Sequence, residues 1–328
     1  MAKMKEGLRM IKKIGVVGTG TIAHEFMTQL NRERYEVVAV FNLNPVSLEK
    51  FSKEYSIPNA FTKYDEFLIA DIDLVYIASP NQTHYSYVKQ ALEAGKHCLC
   101  EKVMVLKGNE SQELFALAES KGLVLLEAVS LFYMPLYQEL HACLSQNKLG
   151  KLSVVNVTFG SCKEYDEANR FFSPAKGGGA LFDIGTYALS AALYFMGDTT
   201  QLRASNVVMA PSGVDEKSAT LLENDDQVLG SVMISFRGKL PKQIFVSGDL
   251  GYLVVEDFPR ATSAKIYYNN GEIEQISSGE AEDVFTYELD MVNRYLSESS
   301  PLPDLRELTQ RVISIMDDMR EEWQWRID

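Results

Sequence analysis

Residues 18–23 (GTGTIA) combine the types and spacing that bind a phosphate-containing ligand. In the pattern Gly18-x-Gly20-x-x-Ala23, the first glycine permits a tight turn and the alanine lets a helix pack closely on a strand. Gly20 lets a pyrophosphate approach the backbone N–H groups at the start of the next helix, where Thr21 and Ile22 lie. The pattern predicts a dinucleotide site, and the alternative is an ordinary strand-to-helix turn.

The end of the second predicted strand bears on which dinucleotide binds. An acidic residue there would hold the adenosine ribose of NAD, and an arginine would accommodate the 2′-phosphate of NADP. The sequence has Asn42 at this position, followed by Leu43 and Asn44. Because an amide can hydrogen-bond to either cofactor, we expect NAD or NADP, with the preference open.

An alternation of apolar runs and amphipathic stretches surrounds this site and predicts a doubly wound parallel sheet of the Rossmann type. Such sheets bind ligands at the carboxyl ends of their strands, which is where Lys102 follows a predicted strand. The predicted strands are 13–20, 36–41, 73–78, 97–101 and 123–128, and the predicted helices are 21–33, 47–55, 82–94 and 111–121.

The pattern changes after about residue 127, where short strand-like runs alternate with turn signals. This change predicts a C-terminal α+β domain with a mainly antiparallel open sheet. The predicted strands are 152–159, 202–209, 218–223, 228–236, 243–248, 252–255 and 264–268, and the predicted helices are 180–196, 281–297 and 304–324. We therefore divide the chain into domains at 1–126 and 127–328.

Composition and charge exclude several classes of protein. The chain has 328 residues, 46% of them apolar, which is ordinary globular composition. Residues 1–126 carry no net charge, so the net charge of −13 lies in the remaining residues and argues against nucleic acid or an anionic membrane as partner. Residues 1–13 are basic but precede no long apolar core, so no leader or membrane span is expected. The four histidines and four cysteines show no metal-ligand spacing and no CxxC pair, so we expect no metal and a cytoplasmic protein.

Three further segments join the glycine pattern in order: 79–84 (SPNQTH), 94–102 (AGKHCLCEK) and 177–187 (GGGALFDIGTY). In this order and spacing the chain resembles the glucose-fructose oxidoreductase / inositol dehydrogenase (Gfo/Idh/MocA) family over nearly its whole length. The resemblance implies a nicotinamide cofactor in the first domain. It also implies a sugar-like substrate in the second domain and association through that domain's sheet into a homodimer or homotetramer.

The resemblance also implies site residues. It assigns the nicotinamide ribose contact to Glu101 and places the catalytic lysine at Lys102, which also contacts the cofactor. The motif aspartate falls on Asp183, and the family's histidine position holds Tyr187. The dihydrodiol dehydrogenase and glucose-fructose oxidoreductase branches are similar in having tyrosine there, and the chain most resembles the dihydrodiol dehydrogenase-like branch. Val103 stands where the family usually has proline. Further cofactor contacts are expected from Ser79, Pro80, Asn81 and His84, and substrate contacts from Arg170, Phe171, Tyr133 and, in a segment expected to face the substrate, Lys163.

The proposed chemistry is consistent with these residue types. Reduction of a carbonyl needs a hydride and a proton for the developing alkoxide, and a tyrosine hydroxyl can donate that proton. An ammonium at Lys102 would help to polarise the oxygen, and Asp183, four residues before Tyr187 on one helix, would orient the substrate or the lysine. The alternatives are a core aromatic at Tyr187, a solvated lysine at Lys102 and a structural aspartate at Asp183.

These observations predict an NAD(P)-dependent oxidoreductase acting on a secondary alcohol or carbonyl of a sugar, cyclic polyol or dihydrodiol. Two other classes remain open. One is a regulatory protein that binds NAD(P) without turnover. The other is a glycosidase that uses tightly held NAD for a transient oxidation.

Overall fold

The computed structural model describes residues 10–297 and 304–325, so most of the basic start of the chain lies outside the described residues. The chain divides into two compact units. Unit 1 comprises the described residues of Met1–Met104, Gln112–Ala128 and Glu282–Asp304, and unit 2 comprises those of Val105–Ser111, Val129–Ala281 and Leu305–Asp328. The sequence division at residue 127 placed Glu282–Asp304 in the second domain, whereas the described residues of this segment belong to unit 1.

The first part of the chain alternates strands and helices. Its elements are β1 (Lys13–Val17), α1 (Thr21–Gln29), β2 (Glu36–Phe41), α2 (Pro45–Tyr55), β3 (Asn59–Phe61), α3 (Tyr64–Leu68), β4 (Leu74–Ile77), α4 (Asn81–Glu93), β5 (His97–Glu101), α5 (Gly108–Ser120) and β6 (Leu125–Ala128). The strands form one parallel sheet in the order β3-β2-β1-β4-β5-β6, which confirms the doubly wound prediction. The strand order reverses between β1 and β4, the place where such sheets bind ligands.

The elements of the second part are α6 (Pro135–Ser145), β7 (Leu152–Gly160), a π-helical turn (Leu181–Gly185), α7 (Thr186–Met196), β8 (Gln201–Met209), β9 (Asp215–Glu223), β10 (Leu229–Ser235), β11 (Gln243–Gly248), β12 (Gly251–Glu256), β13 (Ser263–Tyr268), β14 (Ile273–Ser277), α8 (Val284–Ser297) and α9 (Leu305–Glu322). Short 3-10 turns cover Ser130–Phe132, Arg170–Phe172, Pro174–Lys176 and Ala281–Asp283. The strands form a sheet in the order β14-β13-β12-β11-β7-β10-β9-β8. All neighbouring pairs are antiparallel except β7 and β10, so the prediction of a mainly antiparallel sheet is confirmed.

The two faces of this sheet differ in burial. On one face, alternate residues such as Val155, Val157 and Val232 are buried under α7. On the opposite face the register brings together apolar side chains that are exposed. They are Val154, Leu221, Leu229, Met233 and Tyr252, which we call the open face.

One helical segment, Pro174–Met196, is long and apolar enough to span a membrane by length and composition alone. In this chain 89% of its apolar window is buried inside the protein. Such burial is typical of a helix in a protein core, where neighbouring elements replace the lipid as its apolar environment.

Candidate active site

The structure explains the two glycines of the Gly18-x-Gly20 pattern in different ways. Gly18 has φ +100°, and a Cβ placed there would lie 2.5 Å from the carbonyl oxygen of Ala78 at the end of β4. Its N–H donates to the carbonyl of Phe41 at the end of β2 at 2.9 Å. The packing of three neighbouring strand ends therefore explains Gly18 without any ligand.

Gly20 lies in open space instead. Its φ is −85°, and a Cβ placed there would meet nothing within 4 Å. Gly20 is the N-cap of α1, but no side chain caps that end and the first turn has no acidic residue. Thr21 is exposed and Ile22 half-buried at this N-terminus. An open, uncapped helix start at the reversal of strand order fits a cofactor pyrophosphate.

Asn42 lies directly after β2 and is linked to the glycine turn. Its amide nitrogen donates to the hydroxyl of Thr19, between the two glycines, and its amide oxygen accepts from the N–H of Asn44 at 3.2 Å. Asn44 in turn caps α2. Asn42 thus offers neither a carboxylate to ribose hydroxyls nor a cation to a phosphate, and the cofactor preference stays open.

The residues after β4 form a second loop at the same edge of the sheet. Pro80 is the N-cap of α4 and Asn81 its first residue. The hydroxyls of Ser79 and Thr83 lie 2.7 Å apart and tie this loop to the helix. Gly18 is close to the same loop, since a Cβ added to this glycine would lie 3.2 Å from the backbone nitrogen of Ser79.

His84 joins this loop to the segment that carries Lys102. Its side chain is 0% exposed, so His84 is not a surface residue. Nε2 lies 2.7 Å from the carbonyl oxygen of Ser79, and Nδ1 lies 2.8 Å from that of Val103. Burial lowers the pKa of His84, an effect that hydrogen bonds to the two carbonyls oppose and the Lys102 ammonium assists. The geometry makes His84 a positioning residue, and its direct contact with a cofactor stays a prediction.

Two buried acids also hold this segment in place, a structural role that was not predicted from the sequence for either of them. Glu127 is 3% exposed and accepts from the N–H of Met104 at 2.7 Å. Glu101 is almost as buried and accepts from the hydroxyl of Tyr76 at 2.5 Å. The backbone around Lys102 is therefore fixed by side chains from β4, α4 and β6. The Lys102-Val103 peptide bond is cis.

In unit 2, burial singles out Asp183 and Tyr187. Every residue from Ala180 to Met196 is buried except these two, which are half-buried. Asp183 lies in the π-helical turn and Tyr187 in the first turn of α7, so both remain on the accessible side of one helical segment. The interpretation of Tyr187 as an ordinary core aromatic is thus not favoured, although the tyrosine does lie 6.4 Å from Phe159, centroid to centroid.

The glycine-rich loop before this helix is shaped by the protein itself. A Cβ at Gly178 would lie 2.7 Å from the carbonyl oxygen of Arg170. Gly179 has φ +121°, and a Cβ there would lie 2.3 Å from a carboxylate oxygen of Asp215. The loop therefore needs glycine for a tight turn rather than for the approach of a ligand.

Asp215 is a functional candidate that sequence reasoning did not identify. It is 0% exposed at the start of β9, and its Oδ2 accepts from the N–H of Leu181 at 2.8 Å. Burial raises the pKa of Asp215 to about 7, against the opposing effect of backbone N–H groups. The carboxyl oxygen thereby satisfies a backbone N–H at a helix start that has no partner within the helix. Asp215 therefore fixes the start of the segment that carries Asp183 and Tyr187.

The predicted substrate residues fall into two groups. Lys163 Nζ lies 3.6 Å and an Arg170 guanidinium nitrogen 3.8 Å from the carboxylate of Asp183, and both cations lie over the ring of Phe171. Tyr133, in contrast, is 1% exposed and lies among buried residues. In the described part of the chain no group of histidine, cysteine and acidic residues could hold a metal ion.

Two family models match the chain. Residues 12–129 match the oxidoreductase family with an NAD-binding Rossmann fold, and residues 137–254 match the GFO/IDH/MocA C-terminal domain. The chain belongs to the Gfo/Idh/MocA oxidoreductase family. The observed glycine turn, parallel sheet and second open sheet of this Gfo/Idh/MocA member agree with the architecture of that family.

Two curated relatives of this Gfo/Idh/MocA chain are dehydrogenases. It is 32% identical to trans-1,2-dihydrobenzene-1,2-diol dehydrogenase of Bos taurus, over 74% of this chain and 73% of that one. It is 28% identical to scyllo-inositol 2-dehydrogenase (NADP(+)) IolU of Bacillus subtilis, over 84% and 85% of the two chains. Among solved structures, the 3-ketoreductase KijD10 from Actinomadura kijaniata, in complex with NADP and TDP-benzene, shares the fold with a TM-score of 0.84 at 23% identity, covering 95% of this chain and 98% of that one.

Proposed function

We propose that this oxidoreductase transfers a hydride between a nicotinamide cofactor and a secondary alcohol or carbonyl of a sugar, cyclic polyol or dihydrodiol. The observation that carries the proposal is the exposure pattern of the segment 180–196, which leaves only Asp183 and Tyr187 accessible. The substrates named for the relatives, a dihydrodiol and an inositol, are alcohols of this class.

The cofactor would be held by unit 1. The open N-terminus of α1 at Gly20, Thr21 and Ile22 fits the pyrophosphate, and Asn42 lies at the strand end where the adenosine ribose binds in such folds. Glu101 and Lys102, at the end of β5, would lie at the nicotinamide side. A bound nicotinamide supplies or accepts the hydride at the substrate carbon.

Side chains of the protein transfer the proton of the substrate hydroxyl and stabilise the negative charge on its oxygen. In the direction of reduction, Tyr187 donates a proton from its hydroxyl to the substrate oxygen, and in oxidation it removes that proton. The Lys102 ammonium stabilises the negative charge that develops on the same oxygen. Asp183, flanked by Lys163 and Arg170, accepts a hydrogen bond from a neighbouring substrate hydroxyl and so orients the ring.

The experiment that tests this function follows nicotinamide absorbance with NAD and with NADP. The substrates are aldoses, inositols, dihydrodiols and simple dicarbonyls. Turnover of any class supports the proposal and identifies the preferred cofactor. Tight cofactor binding by fluorescence together with no turnover on the whole panel would contradict it.

We propose further that the chain forms a homodimer or homotetramer by pairing the open face of its second sheet with that of another copy. The support is the row of exposed apolar side chains on one face and the burial of the other. Sedimentation velocity tests this, since a monomer at micromolar concentration would refute it.

We propose a cytoplasmic location, without nucleic acid or membrane as partner. All four cysteines are free thiols, which is consistent with a reducing compartment. The acidic charge of the chain opposes binding to nucleic acid or anionic lipid. Recovery of the protein with a membrane fraction, or retention on a DNA column at low salt, would contradict this.

A further inference from the structure

The parallel strands β7 and β10 end side by side, and basic residues follow both ends. Lys163 comes after β7, and Arg237 and Lys242 come after β10. The backbone N–H of Lys163 donates to the carbonyl of Phe236 at 2.7 Å, so the two loops are joined. The guanidinium of Arg237 also donates to the carbonyl of Lys163 at 3.4 Å. Cations are thus gathered at one end of a unit in a protein whose net charge is −13.

Aromatic rings hold these cations in place. The ammonium of Lys163 lies 3.6 Å from the ring centroid of Phe171 and 5.1 Å from that of Phe236. The guanidinium of Arg170 lies 4.2 Å from the Phe171 centroid. Such contacts orient long flexible side chains without neutralising their charge. We call Lys163, Arg170, Phe171 and Phe236 the cation–phenyl cluster.

Asp183 is shared between two cations of the cluster. It lies within 4 Å of both Lys163 and Arg170, at 3.6 and 3.8 Å, which are ion-pair rather than hydrogen-bond distances. Arg237 forms a separate ion pair, with its Nε 3.7 Å from a carboxylate oxygen of Glu216. Glu164 is exposed, whereas its neighbour Lys163 is half-buried, so the two point to different sides of the loop. The carboxylate of Asp183 therefore lies within ion-pair distance of both cations of the cluster.

The cluster also lies at the proposed reaction site. Asp183, the ion-pair partner of both Lys163 and Arg170, belongs to that site, and Tyr187 is four residues further along the same helical segment. The ring of Phe159, at 6.4 Å from that of Tyr187, carries a further cation, since the ammonium of Lys242 is 5.3 Å from its centroid. A substrate held by Asp183 and Tyr187 would therefore have positive charge beside it.

We propose that the cation–phenyl cluster selects substrates that carry an anionic oxygen group, a carboxylate or a phosphate, next to the reacting alcohol. This inference rests on the proposed function and names its substrate class. The guanidinium of Arg170, 62% exposed and stacked on Phe171, offers paired N–H donors to such a group. The ammonium of Lys163, only 18% exposed, adds charge from the less solvated side.

The test compares matched neutral and anionic ligands. The protein is loaded with NADP(+) or with NAD(+), and ligand binding is measured by calorimetric titration. The first ligand series is glucose, glucuronate and glucose 6-phosphate. The second is the corresponding galactose series, and the third is inositol and its monophosphate. Binding is measured whether or not turnover occurs, so a failed hydride transfer does not hide the result. We expect an acid or phosphate to bind at least about ten-fold more tightly than its neutral partner, the size of one charge-assisted contact.

Variants assign the effect to the cluster. The anionic advantage is the ratio by which an anionic ligand binds more tightly than its neutral partner. Arg170→Gln and Lys163→Gln should each reduce this ratio to about three-fold or less. The matched control is Arg203→Gln, an exposed arginine of the same unit whose partner is Glu223 at 2.8 Å, and it should leave the advantage intact. Preference for carboxylates alone or phosphates alone supports the proposal and identifies the group.

Two results would overturn the proposal. One is equal binding of neutral and anionic partners in every series. The other is an anionic advantage that survives both cluster substitutions, because the selecting charge would then lie elsewhere. Absence of turnover with a clear anionic binding preference would count against the proposed hydride transfer and not against the cluster.

Discussion

Tyr187 and Lys102 divide the proposed chemistry between proton transfer and charge stabilisation. We expect Tyr187→Phe to lower kcat by about 10²- to 10⁴-fold, because the proton donor is lost. Lys102→Met should lower kcat by a similar factor through loss of the stabilising charge. Affinity for NAD(P)H, measured by fluorescence, should stay within about two-fold of wild type in the tyrosine variant. Tyr252→Phe on the open face is the matched control, and near-wild-type turnover of Tyr187→Phe would remove the role of the tyrosine.

Asp215 provides a prediction about pH and stability. Its pKa of about 7 in the folded chain exceeds the ordinary value of 3.8. Its contribution to stability is therefore complete below about pH 4 and is lost as pH rises through 7, by roughly 4 kcal/mol in total. Asp215→Asn removes this loss while an amide oxygen can still accept from Leu181. We expect the variant to gain on wild type in free energy of unfolding as pH rises from 5 to 8.

Chemical denaturation at several pH values measures this gain. Asp225→Asn, at an exposed position, serves as the control. Its free energy of unfolding should differ from that of wild type by the same amount at every pH. A difference between Asp215→Asn and wild type that does not change with pH would show that the carboxylate is not the group responsible.

Sequence reasoning at this scale identified candidate residues that the structure leaves accessible, and it did not identify the buried polar ones. Tyr187 and Asp183 were found through their motif, and the structure leaves both accessible. Glu127 carried a signal, since it is an acid within the apolar run 123–128, but its role follows only from burial. Asp215 carried none, because nothing in Gly213-Val214-Asp215 shows that this side chain meets a helix start 34 positions earlier.

The start of α1 supplies a prediction at the scale of elements. Gly20→Ala places a methyl group in open space with an ordinary φ, so the melting temperature should change by less than about 2 °C. Cofactor affinity should fall at least about ten-fold, because the methyl group occupies the approach to the helix N-terminus. Differential scanning fluorimetry and NAD(P)H fluorescence measure the two effects.

Gly179→Ala is the contrasting variant. Its φ of +121° and the 2.3 Å approach to Asp215 predict a clear loss of stability with cofactor affinity unchanged. If Gly20→Ala bound the cofactor as tightly as wild type, the helix start would not be the pyrophosphate site.

Elements with strong hydrophobic periodicity were predicted, and short or edge elements were not. The elements β3, α3, α6 and β14 were not predicted from the sequence. β3 has three residues and β14 has no buried residue, so neither leaves an apolar pattern. α6 did carry a signal, with Pro135 in its first turn and Leu136 and Leu140 at helical spacing. The predicted helix over 180–196 begins with a π-helical turn, a change of hydrogen-bond spacing that residue patterns do not encode.

The open face leads to a prediction about the whole molecule. Met233→Lys and Leu221→Lys place charges in the middle of the row of exposed apolar side chains, which are 48% and 55% exposed in the chain alone. Because burying an unpaired charge in an interface is costly, we expect the double variant to sediment as a monomer. The melting temperature of that monomer should differ little from that of the wild-type chain. Ile69→Lys, an equally apolar but separate exposed site in unit 1, is the control. An unchanged oligomer would place the interface elsewhere.

Unit 1 is closed by a helix from late in the chain. Phe285 of α8 packs on Phe26 at 5.4 Å, and the amide oxygen of Asn293 accepts from the N–H of Ile11 at 2.7 Å. Arg34 pairs with Asp290 of the same helix. The cofactor-binding half of the fold is thus assembled from residues separated by 282 positions.

This arrangement has a consequence for biosynthesis. While the chain emerges from a ribosome, the six strands of the parallel sheet are complete long before the helix that covers Phe26 exists. Until residue 297 has been translated, an apolar surface on the nascent first unit remains uncovered, and it is a natural site for a chaperone. A fragment ending at residue 281 would hold every strand of both sheets, yet it should aggregate, because it lacks both α8 and α9 and leaves the apolar surfaces beneath them uncovered.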